Sequence, residues 1–245
     1  MISKRCSSLS NLAKCPGLYA LRTLEGYDGG SSAAQSGSAV GRLIELHHKG
    51  VQWEDSLREV QANPAYDLAD MDMVAKRAAC YIADPRNRGV VLPESLELTV
   101  KVTYGSLELV GHVDQIRTTP RGLQVWDVKN GKPGGIQMLH DYAWQLAAYA
   151  LACTETLGER VLPGGIIRLA GYTARGKPEP QDAVVFYETP YWTLDQCRTM
   201  LDSAAHLVSM LGRGEILTIP GRHCSWCPAA GPHHCPDLLG EEFAP

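Results

Sequence analysis

No apolar run in this 245-residue chain approaches the ~20 residues that a membrane-crossing helix needs, which excludes a spanning protein as the reading of the sequence. The opening stretch MISKRCSSLSNLAK lacks the apolar segment of a secretory signal, so a cytoplasmic protein is expected. Positive charge is not in excess: Lys and Arg total 23 against 27 Asp and Glu, a formal net charge of −4. That excludes a uniformly basic coat but not a local basic groove for nucleic acid. No internal repeat is visible. The eight cysteines do not make the framework of a small secreted disulfide scaffold, because the chain is long. What is there is ordinary globular composition, 44% hydrophobic and 20% charged. It is enough for one large domain, or one domain with a small appendage.

The hydrophobic pattern orders the chain as an α/β sandwich with a mixed sheet. Residues 26–38 (GYDGGSSAAQSGS) are rich in Gly and Ser and read as a flexible loop. Val40, Leu43, Ile44 and His47 fit one helix face over 39–48, and a second helical pattern covers 67–83 until Asp84-Pro85 stops it. Residues 95–104, 107–117 and 123–129 alternate or run apolar as strands do, and predict a three-stranded meander. A loop over 130–135 leads to a helix from about Met138 to Leu157. Strands over 166–172 and 183–188 follow, then a helix capped by Thr193 and ending near Leu211. The tail from Ile219 is aperiodic and rich in Pro, Gly, His and Cys.

One constellation carries chemistry. Asp114 lies in the second strand, within Gly111-His112-Val113-Asp114, and Asp127 and Lys129 lie near the end of the third. Side chains two apart on a strand share a face, so Asp127 and Lys129 point the same way. Pairing around a turn at 119–122 brings Asp114 toward Asp127. Two carboxylates and a lysine at one end of a sheet suit a hard cation such as Mg²⁺. Such an ion polarises a phosphoryl oxygen and acidifies a bound water, and the lysine can orient that water or hold a phosphate oxygen. The same spacing also suits edge-strand charges beside a solvated lysine.

Gly111-x-x-Asp114, then apolar-Asp127-x-Lys129-x-Gly131-Lys132, then a helix with Gln145-x-x-x-Tyr149, resembles the PD-(D/E)XK nuclease superfamily in its RecB-like branch. The motifs lie within 37–149, and the flanking segments extend the likeness to nearly the whole chain. The resemblance implies a restriction-endonuclease-like fold, a mixed central sheet flanked by helices. It implies Asp114, Asp127 and the main-chain carbonyl of Val128 as ligands of Mg²⁺ or Mn²⁺, and Lys129 as the aid to the nucleophilic water. Gln145 and Tyr149 would touch the DNA backbone or brace the site. The first motif departs from the family, which usually has Gly-x-x-x-His on an early helix with a Glu one turn later. Here Gly37-Ser38-Ala39-Val40 is followed by Gly41, with Glu45 at the Glu position. A second register starts at Gly41 and puts Glu45 where the His is expected, as a carboxylate ligand. The departure implies weaker metal binding or weakened activity.

Cys224, Cys227 and Cys235 crowd together with C-x₂-C-x₇-C spacing, which points to a metal or iron–sulfur site whose fourth ligand comes from elsewhere. Cys15 is the main candidate and Cys6 the lesser one. A Cys₃His zinc site using His223, His233 or His234 fits the same spacing. RecB-like nucleases of the AddB type and the CRISPR-adaptation exonucleases carry one Cys before the nuclease core and three after it. The likeness to them implies a [4Fe–4S] cluster on Cys15, Cys224, Cys227 and Cys235, clamping the two ends of the chain. Cys80, Cys153 and Cys197 read as small buried hydrophobes.

The chain divides on this reading into an N-terminal segment 1–36, a nuclease core 37–215 and a cysteine-rich segment 216–245. The expected activity is metal-dependent hydrolysis of DNA, as an exonuclease at single-stranded ends. The expected setting is prokaryotic or phage-encoded, in recombination and repair, phage DNA processing or CRISPR adaptation, with proteins of those pathways as further partners. Arg86, Arg88, Lys101, Arg117, Arg121 and Lys132 are candidates for phosphate contacts, and Trp126, Tyr142, Trp144 and Tyr149 for base stacking. Two other readings stay open: a catalytically weakened DNA-end-binding subunit of a larger complex, and a zinc-stabilised structural protein.

Overall fold

The computed structural model describes residues 2–24, 32–105, 107–131, 137–170 and 183–215, with 218, 219, 221, 223, 224, 227 and 235. In chain order the elements are β1 (Ile2–Arg5), α1 (Leu9–Lys14), α2 (Pro16–Leu24), α3 (Ser32–His48), α4 (Trp53–Gln61), α5 (Met71–Ala83), β2 (Leu98–Tyr104) and β3 (Leu107–Val113). They continue with β4 (Gln115–Thr119), β5 (Gly122–Asn130), α6 (Gln137–Leu157), β6 (Val161–Leu169), β7 (Val184–Glu188) and α7 (Leu194–Gly212).

Alternating side chains of β2 and β3 form an antiparallel ladder from Leu98↔Val113 to Tyr104↔Leu107, and β1 adds to β3 in parallel. Their buried residues, among them Val100, Val102, Leu107 and Leu109, share a core with α6, α7 and Leu9 and Leu12 of α1. A second, mixed sheet runs β4-β5-β6-β7, antiparallel, parallel and antiparallel in turn. The fold is thus α/β with mixed β-structure flanked by helices, divided between two sheets.

That division corrects the three-stranded meander. The run 107–117 breaks at Asp114 into β3 and β4, which belong to different sheets. The Asp114 carboxylate accepts the N–H of Val128 at 2.6 Å. A side chain thus supplies the acceptor on β5 where β4 no longer runs alongside.

The strand β5 is central to the second sheet and is clad on both faces. Val125 packs into the core shared with α6, whereas Trp126 belongs to the core built from α3 and α5. The strand period therefore carries odd-numbered residues of β5, Asp127 included, toward α6. On the neighbouring strand, Pro163-Gly164-Gly165 is part of β6 rather than its approach, and the register shifts opposite Val125/Trp126. A Cβ at Gly164 would overlap the Trp126 indole, so the glycine lets a large ring lie on the β6 backbone.

One helical segment outruns the sequence pattern. The Gly/Ser-rich stretch is helical from Ser32, because Ser36 is buried and its hydroxyl accepts the N–H of Asp70 while Gln35 accepts that of Leu68. Docking on the 68–70 turn overrides weak helix propensity. The loop 132–136 and the end of the 166–172 strand prediction, residues 171 and 172, lie outside the described residues. At α7 the Thr193 cap stands as a full capping box with Gln196. Among the described residues no helix is long and apolar enough to cross a membrane.

Candidate active site

Gln115 pairs with Trp126 in the β4–β5 ladder, which sets the preceding residue, Asp114, beside the following one, Asp127. Asp127 is 2% exposed, and Lys129 leans back onto it, donating to Oδ1 at 3.0 Å and lying 2.7 Å from Oδ2. Oδ2 nonetheless takes no hydrogen bond. Burial, and then the neighbouring Asp127 carboxylate, push the Asp114 carboxyl up to about 8. Burial acts to lower the Lys129 ammonium, but Asp127 and Asp114 outweigh it and hold the group above the ordinary lysine range. Two crowded carboxylates share one cationic side chain here, and adding positive charge relieves that crowding. A buried carboxylate oxygen that takes no hydrogen bond and an all-oxygen donor set fit a hard divalent cation. Asp114, Asp127 and the carbonyl of Val128 are the groups that would hold it.

The helix α6 braces this centre from the other side. Gln145, 1% exposed, donates from Nε2 to Asp127 Oδ1 at 2.8 Å. One turn later Tyr149 is 4% exposed, and burial drives its hydroxyl far above the ordinary tyrosine range. Tyr149 explains the glycine three residues before Asp114. A Cβ on Gly111 would sit 2.7 Å from Tyr149 Cε1 and 3.1 Å from Cys6 Sγ, closer than packed atoms tolerate. Of the two roles expected for this pair, the buried positions are those of braces.

Asp114 and Lys129 open on a pocket of about 560 Å³ between α3 and β5, lined also by Gly41, Glu45, Glu97 and Val128 among others. Glu45 is buried, with Arg42 at 2.6 Å on one oxygen and Lys49 at 2.5 Å on the other. Burial opposes its ionisation, yet Lys49 and Arg42 hold its carboxyl below the usual range. Glu97, which no motif singled out, faces the same pocket. An added Cβ at Gly41 would meet only its Oε1, at 4.0 Å. Among the described residues Glu97 is the single non-glycine with positive φ, at 54°, and its carboxylate has no hydrogen bond or ion pair. Burial and Glu45 push it upward. Left-handed backbone at a glutamate is the clue, and sequence alone does not reveal it.

Several expected surface groups are interior. Arg117 is 5% exposed and bonded to Asn87 and the Arg86 carbonyl, with the Phe186 and Trp126 rings beside it. Trp126 and Tyr149 are buried and present no face for stacking. Lys101 pairs with Glu108 at 2.5 Å. Tyr142 and Trp144 stay half-buried, and Lys132 lies outside the described residues.

None of the eight cysteines is in a disulfide. Buried Cys15 accepts the N–H of Ile219, 204 residues later, at 3.5 Å. Cys224 Sγ accepts the N–H of Gly221 at 3.3 Å, and the Cys227 N–H reaches the Cys224 carbonyl at 3.3 Å. Ile219 is therefore laid against Cys15, and main-chain N–H groups aim at two of the sulfurs. Among the described residues no group of three or more His, Cys, Asp and Glu side chains gathers as a metal site. His233 and His234 lie outside the described residues.

Comparison with known proteins agrees with this geometry. No curated protein matches the sequence. Among solved structures, the fold is similar to a "Putative exonuclease" from Eubacterium rectale, with a TM-score of 0.54 and 13% identity over 99% of this chain and 92% of that one. SSO0001 aligns at a TM-score of 0.37 and 12% identity, over 90% and 94% of the two chains. The model of the PD-(D/E)XK nuclease superfamily matches residues 6–231, a span that holds Asp114, Asp127, Lys129 and the α6 pair together. With the acids, the lysine and their braces converging as described, the chain belongs to the PD-(D/E)XK nuclease superfamily.

Proposed function

We propose that the protein is a metal-dependent DNA exonuclease of the RecB-like type, working on single-stranded ends. The observation that carries this reading is the convergence of Asp114, Asp127 and Lys129, with Asp114 and Lys129 lining one pocket and Gln145 bonded to Asp127 behind them. The similarity in fold to a protein described as an exonuclease favours exonuclease over other nuclease chemistry. Setting it in recombination and repair, phage DNA processing or CRISPR adaptation, in a prokaryotic or phage cytoplasm, follows from the RecB-like motifs.

A Mg²⁺ or Mn²⁺ ion, when bound, supplies Lewis acidity to a phosphoryl oxygen and acidity to a water. The chain's own residues do the rest. Asp114 and Asp127 would present the oxygens that hold the ion, together with the carbonyl of Val128, the residue after Asp127. Gln145 fixes the rotamer of Asp127, so that Oδ2, beside the Lys129 ammonium, keeps its aim. Lys129 places an ammonium at the two acids, where it orients an attacking water and offsets charge gathering on the phosphate. Glu45 lines the pocket with both oxygens paired, and would join the ligands only if Arg42 or Lys49 released it.

The reading includes a [4Fe–4S] cluster on Cys15, Cys224, Cys227 and Cys235 as a structural clamp. The approach of Ile219 to Cys15 and the N–H groups directed at two of the sulfurs support it. Brown protein with broad absorption near ~400 nm is the expected signature of thiolate-ligated iron. Colourless protein carrying stoichiometric zinc would instead assign a zinc site to these thiols. The activity is tested by incubating labelled single strands with Mg²⁺ or Mn²⁺. Degradation lost in Asp127→Ala supports the enzyme, whereas salt-sensitive binding without cleavage in either metal supports the weakened end-binding subunit.

A further inference from the structure

We propose that Lys14, at the end of α1, is a phosphate-binding residue of the substrate strand, acting beside Lys129 across the Tyr142 ring. The inference rests on the nuclease reading and adds a residue to it from outside the motifs. Lys14 Nζ lies 5.2 Å from the Tyr142 ring centre and Lys129 Nζ 5.1 Å from the same centre. The two ammonium groups are therefore separated by at most about twice that distance, within reach of neighbouring phosphates on one strand.

Their situations differ. Lys129 is bound to Asp127, whereas Lys14 has no ion pair or hydrogen bond among the described residues. Lys14 is half-buried, with its ammonium against the Tyr142 ring and the Lys129 ammonium against the same ring. A half-buried cation held on an aromatic ring beside a second cation is stabilised by an anion arriving from solvent. The anion that a nuclease site receives is a backbone phosphate, and a lysine meets it as a point charge without reading sequence. The ring adds definition: Tyr142 is on the helix that carries Gln145, so one rigid element sets both the acid and the distance between the lysines. Cys15, the next residue, accepts the N–H of Ile219, so whatever secures that contact also secures Lys14.

The test is binding of a fluorescein-labelled single-stranded oligonucleotide in EDTA, where no cleavage occurs, across a range of salt. Lys14→Gln should bind about tenfold more weakly, the scale of one charge-assisted contact. Its log–log salt dependence should be shallower by about 0.7, one single-strand phosphate contact. Lys14→Arg should restore most of the affinity, and Lys101→Gln, which removes a charge already paired with Glu108, should change neither quantity. On the unaltered protein, bound oligonucleotide should slow acetylation of Lys14. Equal binding by Lys14→Gln and wild type, or an equal loss in Lys101→Gln, overturns the assignment while leaving the nuclease reading intact. Wild-type protein that binds neither single- nor double-stranded DNA overturns both.

Discussion

Gln145 Nε2 donates to Asp127 Oδ1 at 2.8 Å across the interface between α6 and β5, where both residues are almost fully buried. A buried carboxylate needs donors, and Lys129 alone serves this one imperfectly, reaching Oδ1 at 3.0 Å and leaving Oδ2 without a hydrogen bond. Gln145→Met keeps the volume and removes the donor. It should cost about 1.5–3 kcal/mol of stability, the scale of a hydrogen bond to a charged group. Chemical denaturation measures the loss, and Mn²⁺ titration should show weaker binding in the same variant. Unchanged stability and unchanged Mn²⁺ affinity would remove Gln145 from the brace.

Gly111 and Tyr149 form the second relationship to test. Gly111→Ala puts a methyl 2.7 Å from the Tyr149 ring, which α6 cannot release without shifting its register on β3. Overpacking of this kind costs about 1–3 kcal/mol. Adding Tyr149→Leu should recover part of the loss in a double-mutant cycle, because the clash partner is gone. Additive losses in the cycle would mean that the two residues do not meet.

The left-handed backbone of Glu97 predicts a gain. Glu97→Gly should stabilise the protein by about 1 kcal/mol, since glycine adopts φ of 54° without strain. Glu97→Ala keeps the strained backbone and should gain much less. Thermal melts of the pair separate backbone strain from loss of the carboxylate. Equal effects in the two variants would show that strain contributes nothing.

His48 gives a pH dependence. Burial, helped by His47 and Arg117, lowers its imidazole from 6.5 to about 4, and its Nε2 lies 3.1 Å from the Tyr81 hydroxyl. The folded state thus resists a proton that the unfolded chain takes up. The contribution is fully present above pH 6.5, declines as pH falls from there toward 4, and is constant below. His48→Gln should flatten that part of the curve of melting temperature against pH. An unaltered slope would place the titration on another group.

The grouping of the acids and the lysine was more legible than the strands that carry it. Asp114, Asp127 and Lys129 could be set together from strand period and one turn, because a ladder register is short-range information. The bend at Asp114 could not, since an alternating run looks the same whether or not it changes sheets. The strand β1 is too short to show a period, and α3 from Ser32 depends on docking against residues 68–70. Glu97 and Lys14 were invisible for a related reason: each matters through a backbone angle or a ring that belongs to a distant part of the chain. Arg117 and Trp126 read as nucleic-acid contacts because neither carries a mark of burial in its immediate sequence. Their cover comes from Phe186 on β7 and the 86–87 turn.

The central claim is that Asp114 and Asp127 together make this chain a metal-dependent nuclease. Its most direct test follows the fate of a single strand labelled at either end, incubated with Mg²⁺, Mn²⁺ or EDTA and with wild type, Asp114→Asn or Asp127→Asn. The account predicts stepwise loss of label that requires the divalent ion and disappears in both variants, each still folded by circular dichroism. Degradation that persists in EDTA, or in either asparagine variant, would contradict it.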